Sequence, residues 1–236
     1  MMGAPSFLSS RVGLVQFPGS NCDFDCIEAF KTTFGINLTT VWHQEPKLPV
    51  LDRIIIPGGF SYGDYLRGGA LASHSPVMQA VKAFADKGGP VLGICNGFQI
   101  LTESKLLPGI LLRNTSRKFI CRDVFLKVAD GNSVYHKDLS GAPLKISIAH
   151  GEGRYFVDPV TASTMMSNGE ILFRYCSADG VVNDSTNPNG AHDNIAGITS
   201  KNGRIMGLMP HPERAVNALL GGSNDGARIL KAFLAL

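Results

Sequence analysis

Short apolar runs alternate with amphipathic stretches in the first half of the chain, and that alternation sets its plan. Val12-Gly13-Leu14-Val15-Gln16-Phe17 is nearly continuous in apolar residues, the pattern of a strand buried on both faces. Pro18-Gly19-Ser20-Asn21 turns the chain, and Asp23 to Phe34 reads as a helix stopped by Gly35. Leu38 to Trp42 and Arg53-Ile54-Ile55-Ile56 follow as strands, the second ended by Pro57-Gly58-Gly59. Ser75-Pro76 reads as an N-cap with proline at the first helical position, opening a helix to about Lys87. Val91-Leu92-Gly93-Ile94 is a fourth strand, followed at once by a helical segment from Gly97 to Leu106. This order predicts a parallel α/β sheet.

The second half changes character. Ile110 to Asn114, Phe119 to Val128, Leu144 to Ala149, Ile171 to Tyr175, Ile195 to Thr199 and Ile205 to Leu208 are strand-like, with few helical stretches between them. Lys201-Asn202-Gly203-Arg204 is a hairpin signal, because Asn-Gly tolerates positive φ at both central positions. A last helix spans about Asp225 to Leu234, capped by Asn224 or Ser223. The expectation is one α/β domain with an antiparallel extension.

Composition narrows the function classes. The 236 residues are 44% apolar, a globular composition, and no apolar run is long enough to cross a bilayer. Met1 to Arg11 carries no basic flank ahead of an apolar stretch, so no signal peptide is expected. Charged residues make up 17%, below the roughly 25% of an average protein, which points weakly to a covered face and hence a partner. A net charge of +3 without like-charge blocks gives no argument for nucleic acid. Five scattered cysteines, at 22, 26, 95, 121 and 176, suit a reducing cytosol and predict a cytoplasmic protein.

The most specific chemistry is Gly93-Ile94-Cys95-Asn96-Gly97, between a predicted strand and a predicted helix. It is a nucleophile elbow with cysteine at its apex. Small residues two positions either side let neighbouring backbone approach, and the next helix directs its N-terminal N–H groups at the sulfur. The Asn96 N–H is then one oxyanion donor. A buried structural cysteine is the alternative, and the elbow context favours the nucleophile. Met209-Pro210-His211-Pro212-Glu213 offers the base: the prolines bias the segment towards extended backbone, where residues two apart share a side, so Glu213 can orient His211. Pro57-Gly58-Gly59-Phe60 follows the third strand, and Gly59 N–H is the candidate second oxyanion donor. Cys22 and Cys26 lie four apart, but no further Cys/His pair has zinc spacing, so no metal site is expected. Arg113, Arg117, Lys118 and Arg122 read as a strand face or partner contact, with no aromatic platform for RNA.

These pieces, in this order, resemble class I glutamine amidotransferases of the triad type. The longer runs Phe17-Pro18-Gly19-Ser20-Asn21-Cys22-Asp23, Phe60-Ser61-Tyr62-Gly63-Asp64-Tyr65-Leu66-Arg67, Cys95-Asn96-Gly97-Phe98-Gln99, Asn114-Thr115-Ser116-Arg117-Lys118-Phe119 and His150-Gly151-Glu152-Gly153 are similar to the glutaminase subunits of phosphoribosylformylglycinamidine synthases. The resemblance covers nearly the whole chain, residues 11–236, and leaves residues 1–10 as an extension without assigned function. It implies a flavodoxin-like class I amidotransferase fold: a central, mostly parallel sheet flanked by helices, with an antiparallel extension. It implies catalysis by Cys95, His211 and Glu213, an oxyanion hole at Gly59 and Asn96, and a glutamine pocket from Gly58, Phe60, Gln99, Asn114, Ser116 and Phe119. His150 to Gly153 is expected either on a docking face or as a plain turn. Lys105, near a helix end, stands where the family often has glycine, and Phe24 where it is commonly polar.

The chain has no phosphate-binding Gly-x-x-x-x-Gly-Lys-Ser/Thr loop. The resemblance therefore implies no cofactor here, and places ATP and Mg²⁺ on a large synthase subunit, with a small third subunit in many such systems. Two other classes compete: a stand-alone thiol hydrolase or peptidase on the same scaffold, and a non-catalytic domain, against which Cys95, His211 and Glu213 all argue.

Overall fold

The computed structural model describes residues 9–131 and 134–236. Residues 1–8 of the expected extension lie outside that range, while Ser10 accepts a hydrogen bond from the Arg53 guanidinium.

In the first half the chain forms β1 (Val12–Gln16), α1 (Asp23–Phe34), β2 (Thr39–Trp42), β3 (Arg53–Ile56), α2 (Pro76–Asp86), β4 (Val91–Ile94) and α3 (Asn96–Glu103). Then come β5 (Ile110–Leu112), β6 (Ile120–Val128), α4 (Val134–Leu139), β7 (Leu144–His150), β8 (Arg154–Phe156), α5 (Pro159–Asn168) and β9 (Ile171–Cys176). The chain closes with β10 (Ile195–Thr199), β11 (Ile205–Leu208), α6 (Ala218–Gly221) and α7 (Asp225–Leu234). Nine strands make one sheet in the order β2-β1-β3-β4-β11-β10-β9-β6-β7, and β5 pairs with β8 apart from it. β2, β1, β3, β4 and β11 run parallel, a flavodoxin-like 2-1-3-4-5 order with β11 in fifth place. From β11 through β10, β9, β6 and β7 every pairing is antiparallel, which is the expected extension.

Burial explains both halves. Ile54, Ile55, Ile56, Val91, Leu92 and Ile94 are fully buried, as continuous apolar strands covered on both faces require. In β7, Leu144, Ile146, Ile148 and His150 are buried and the residues between them half-buried, the alternation of a strand with one covered face. No described helix is long and apolar enough to cross a membrane.

Gly35 ends α1 in left-handed backbone, as its sequence position predicts. Ser75 occupies the N-cap of α2, but its hydroxyl donates to the Ala72 carbonyl and caps nothing. α3 stops at Glu103 instead of reaching Leu106, because Lys105 takes φ 62. A side chain there costs about 1 to 2 kcal/mol that glycine avoids. The β10–β11 connection also departs from a two-residue turn. Only Gly203 has positive φ, and the Asn202 side chain accepts from the Arg204 N–H instead.

Three helices and a short strand escape the apolar pattern: α4, α5, α6 and β8. α5 leaves Val160 and Met166 exposed, so its periodicity is faint. Its ends are conventional: Asp158 accepts from the Val160 and Thr161 N–H groups, Pro159 opens the helix, and Gly169 closes it.

Candidate active site

Parallel strands bring their carboxyl ends to one edge, where open α/β sheets hold their ligands. Past β1 come Asn21 and Cys22, past β3 Gly59 and Phe60, past β4 Cys95, and past β11 His211 and Arg214. With Phe119 and Ala149 opposite, these residues line a cavity of about 140 Å³.

Cys95 sits between β4 and α3 with φ 51 and ψ −105, backbone that a side chain rarely adopts. Its N–H donates to the Leu208 carbonyl of β11 at 2.8 Å, which ties the turn to the neighbouring strand. The flanking glycines are steric necessities. A Cβ on Gly93 would lie 2.7 Å from the Gly97 carbonyl oxygen, and one on Gly97 only 2.0 Å from the Ile56 carbonyl oxygen of β3. The elbow forms because nothing larger than glycine fits at either place. Asn96 opens α3, so its N–H belongs to the first turn, which has no intrahelical acceptor.

His211 is anchored by its own N–H, which donates to the Ser147 carbonyl at 2.9 Å. Its Nδ1 lies 2.6 Å from Glu213 Oε1, both side chains being fully buried. The pair meets as the spacing predicts, by another route: Pro212 to Arg214 forms a single 3-10 turn, not an extended segment. Proline is pre-set for the first position of such a turn. His211 Nε2 and Glu213 Oε2 are buried without a hydrogen-bond partner among the described residues. Burial alone would lower the His211 pKa. The Glu213 carboxylate and the Cys95 sulfur outweigh it, with Cys22 adding, and hold the imidazole well above its usual range.

Gly59 has φ 138 and forms an isolated antiparallel bridge with Ser20. A Cβ on it would meet the Asn21 N at 2.7 Å. Only glycine allows this backbone at the cavity wall.

A cysteine at a strand–helix elbow, a buried histidine–glutamate pair and a glycine loop, all at the ends of parallel strands, invite comparison with known proteins. Residues 9–225 match the family model of the CobB/CobQ-like glutamine amidotransferase domain. The "Phosphoribosylformylglycinamidine synthase subunit PurQ" of Salinibacter ruber is 48% identical, over 96% of this chain and 97% of that one. Its namesake from Thermomicrobium roseum is 50% identical, over 96% of each. The chain belongs to the PurQ family of glutamine amidotransferases. In structure it is similar to a chain of "PurLQS from Thermotoga maritima", with TM-score 0.80, 38% identity, and 96% and 98% of the two chains covered.

The other residues expected in the PurQ glutamine pocket fall in three places. Phe60 and Phe119 line the cavity and stack, with ring centroids 6.5 Å apart. Gly58 supplies room: a Cβ there would lie 2.9 Å from His211 Cε1 and 3.1 Å from Cys22 Sγ. Gln99 and Asn114 are buried behind the wall with their amides already engaged. Gln99 Nε2 donates to the Glu152 carbonyl and its Oε1 accepts from Asn96 Nδ2. Asn114 Nδ2 donates to the Lys118 and His150 carbonyls, and its Oδ1 accepts from the Gly153 N–H. Both hold loops in place and do not face the cavity. Ser116 is exposed and accepts from the Lys118 N–H.

His150 is buried, so its imidazole does not lie on an open docking face. Burial first, then His211, lowers its pKa to about 4, and it is neutral at pH 7.

Three contributions escape sequence reasoning. The Asn96 side chain, beyond its N–H, accepts from the Ser61 N–H and donates to Asp64, clamping the loop that carries Gly59 to the elbow. Cys22 lies in the cavity, where Arg214 Nη2 donates to its sulfur at 3.2 Å. The sequence marks Cys22 by its place after a strand end and within the Phe17–Asp23 run, but neither signal places it in the cavity.

Asp64 is the third. Burial, then the nearby Glu152 carboxylate, push its pKa up to about 6, partly opposed by the Asn96 hydrogen bond. A carboxylate whose pKa is raised on folding costs stability above the folded value and regains it as that group protonates. Asp64→Asn keeps the acceptor and removes the charge. We expect its Tm at pH 7.5 to exceed wild type by about 2 °C, the figure being small because Asp64 is only half-buried. The gain should shrink as pH falls through 6 and vanish near 4. Melting curves across that range test it.

Proposed function

We propose that this protein is the glutamine-hydrolysing subunit of a phosphoribosylformylglycinamidine synthase, acting as one amidotransferase domain over residues 11–236. The observation that carries the reading is the convergence of Cys95, the His211–Glu213 pair and Gly59 on one small cavity. Its 140 Å³ is well below the roughly 300 to 1,000 Å³ of cofactor or drug-sized pockets, which favours a substrate of amino-acid size.

In this reading Cys95 Sγ attacks the carboxamide carbon of glutamine while His211 Nε2 takes the thiol proton. The N–H groups of Gly59 and Asn96 hold the oxyanion. His211 returns the proton to the departing nitrogen, and ammonia leaves a thioester on Cys95. Water, deprotonated by His211, then releases glutamate and restores the thiol. Glu213 fixes the ring through Nδ1, leaving Nε2 to face the reaction. Proton transfer of this kind is worth about 10² to 10⁴ in rate. Phe60 and Phe119 shield the mouth.

The chain carries no recognisable ATP loop, so activation of the acceptor belongs to a synthase partner. That partner would use ATP and Mg²⁺ to convert formylglycinamide ribonucleotide to formylglycinamidine ribonucleotide, in a cytoplasmic complex completed by a small third subunit. The relatives' names and the likeness to a chain of the Thermotoga PurLQS structure support this. Glutamate release by the chain alone and with its synthase subunits tests the reading. Stimulation by the partners, with formylglycinamidine ribonucleotide formed, is expected. Equal rates with and without them, extending to γ-glutamyl peptides, would instead indicate a stand-alone hydrolase.

A further inference from the structure

The loop from Gly59 to Gly69 holds Tyr62 (φ 52), Asp64 (φ 53) and Leu66 (φ 73) in left-handed backbone, although all three carry side chains. Such backbone persists only where its surroundings over-determine it. Asn96 clamps one flank, through the Ser61 N–H and Asp64. Tyr62 holds the other. Its ring lies 6.4 Å from that of Phe17 and edge-on to that of His43, with centroids 5.3 Å apart. Its phenol oxygen shares a hydrogen bond of 2.5 Å with His43 Nδ1. His43 is itself fixed: it is buried, its N–H donates to the Gln16 carbonyl of β1, and its carbonyl accepts from the Val77 N–H of α2. The tie reaches Gly59 through backbone. The Tyr62 N–H donates to the Pro18 carbonyl at 2.6 Å and the Phe60 N–H to the Gly19 carbonyl at 3.0 Å, next to the Gly59–Ser20 bridge. Neither Tyr62 nor His43 lines the cavity.

We propose that Tyr62 and His43 are positioning residues for the oxyanion hole, their hydrogen bond fixing the loop that presents the Gly59 N–H. The role rests on the proposed glutaminase mechanism. With the bond broken, Tyr62 loses the tether that holds it in left-handed backbone. The loop relaxes back towards Gly59, and one of the two oxyanion donors is misplaced. The thiol is untouched, because the Cys95 N–H is tied to the Leu208 carbonyl of β11 and not to this loop. Attack on a carboxamide builds an oxyanion and needs the hole. Alkylation of the same sulfur by iodoacetamide forms a carbon–sulfur bond as iodide leaves, and builds none. The two reactions of Cys95 therefore part company when the tether is cut.

In the assembled enzyme, Tyr62→Phe should lower kcat for glutamine hydrolysis by at least about ten-fold, a part of the roughly 10²- to 10³-fold lost when an oxyanion donor is removed outright. KM should stay within about two-fold, because the interaction lost is made in the transition state. His43→Ala should do the same, and the double variant no more, since both remove one bond. His43→Asn, whose amide offers a donor or an acceptor at the Nδ1 position, should recover most of the rate. Tyr65→Phe, at an exposed ring of the same loop, is the control and should match wild type. Alkylation of Cys95 by iodoacetamide, followed on its peptide by mass spectrometry, should keep the wild-type rate in every variant. Wild-type kcat in Tyr62→Phe would overturn the proposal. So would alkylation slowed as much as hydrolysis, which would trace the loss to the elbow. Both results leave the glutaminase reading standing. A wild type that hydrolyses no glutamine in any form would overturn that reading, and this role with it.

Discussion

Cys95→Ala is expected to abolish glutamine hydrolysis in the assembled enzyme, a fall in kcat of about 10⁶-fold, the scale set by removing the nucleophile of a catalytic triad. Glu213→Gln should fall short of that, at roughly 10³- to 10⁴-fold. The difference comes from what each group does. Without the sulfur there is no acyl carrier. With glutamine at 213 the hydrogen bond to Nδ1 can persist, but a neutral amide neither stabilises the imidazolium nor selects the tautomer. Glu213 is fully buried, so the loss of its charge is not made good by solvent. KM should change little in either variant, because neither group is proposed to bind the glutamine head. Steady-state glutamate release with partners present separates the cases. A Glu213→Gln enzyme within ten-fold of wild type would remove Glu213 from the mechanism.

Gly97→Ala should be among the most disruptive small substitutions in the molecule. Its Cβ would sit 2.0 Å from the Ile56 carbonyl oxygen, and that atom is backbone of a fully buried strand residue. Neither α3 nor β3 can yield alone, since β3 is paired on both sides, to β1 and β4. Overpacking of this kind costs typically about 1 to 3 kcal/mol against a total stability of about 5 to 15 kcal/mol. The kinetic consequence should be at least as informative. A shift of about 1 Å in the elbow misplaces Cys95 against His211 and costs about 10²-fold in kcat. Gly88→Ala is the control, because a Cβ there would meet no atom within 4 Å, although its φ of 86 adds local strain. A Gly97→Ala protein with wild-type Tm and rate would show that the elbow tolerates a side chain.

The elbow is also where the sequence speaks most plainly. Two glycines flanking a cysteine at a strand–helix junction are a local requirement of close packing, so spacing alone reveals them. The same holds for Gly35 at the end of α1 and for the apolar runs Ile54 to Ile56 in β3 and Val91 to Ile94 in β4. Long-range contacts are less visible. Gln99 and Asn114 look like pocket residues from their motifs, yet their amides are taken up by carbonyls and by Asn96, from segments up to 53 residues away. Cys22 comes near His211 only because the parallel strands deliver their carboxyl ends to one edge, with β3 and β4 lying between β1 and β11, and no local pattern encodes that. α5 is marked by Asp158-Pro159 and Gly169, but its poorly segregated apolar residues hide it from a reading based on periodicity. Lys105 is a different lesson. The sequence shows a missing glycine, and only the backbone at φ 62 shows what its absence costs.

Cys95 and His211 are carried by adjacent strands, and the Cys95 N–H is bonded to the carbonyl of Leu208, three residues before His211. The thiol and the imidazole are therefore carried by two neighbouring strands and their immediate turns, registered by one hydrogen-bond ladder and, at His211, by its N–H bond to Ser147 of β7. The other cavity-lining residues Gly59, Phe60 and Phe119 hang on separate loops. For an engineer this means that the loops at the mouth can be exchanged while the thiol and the imidazole stay in register.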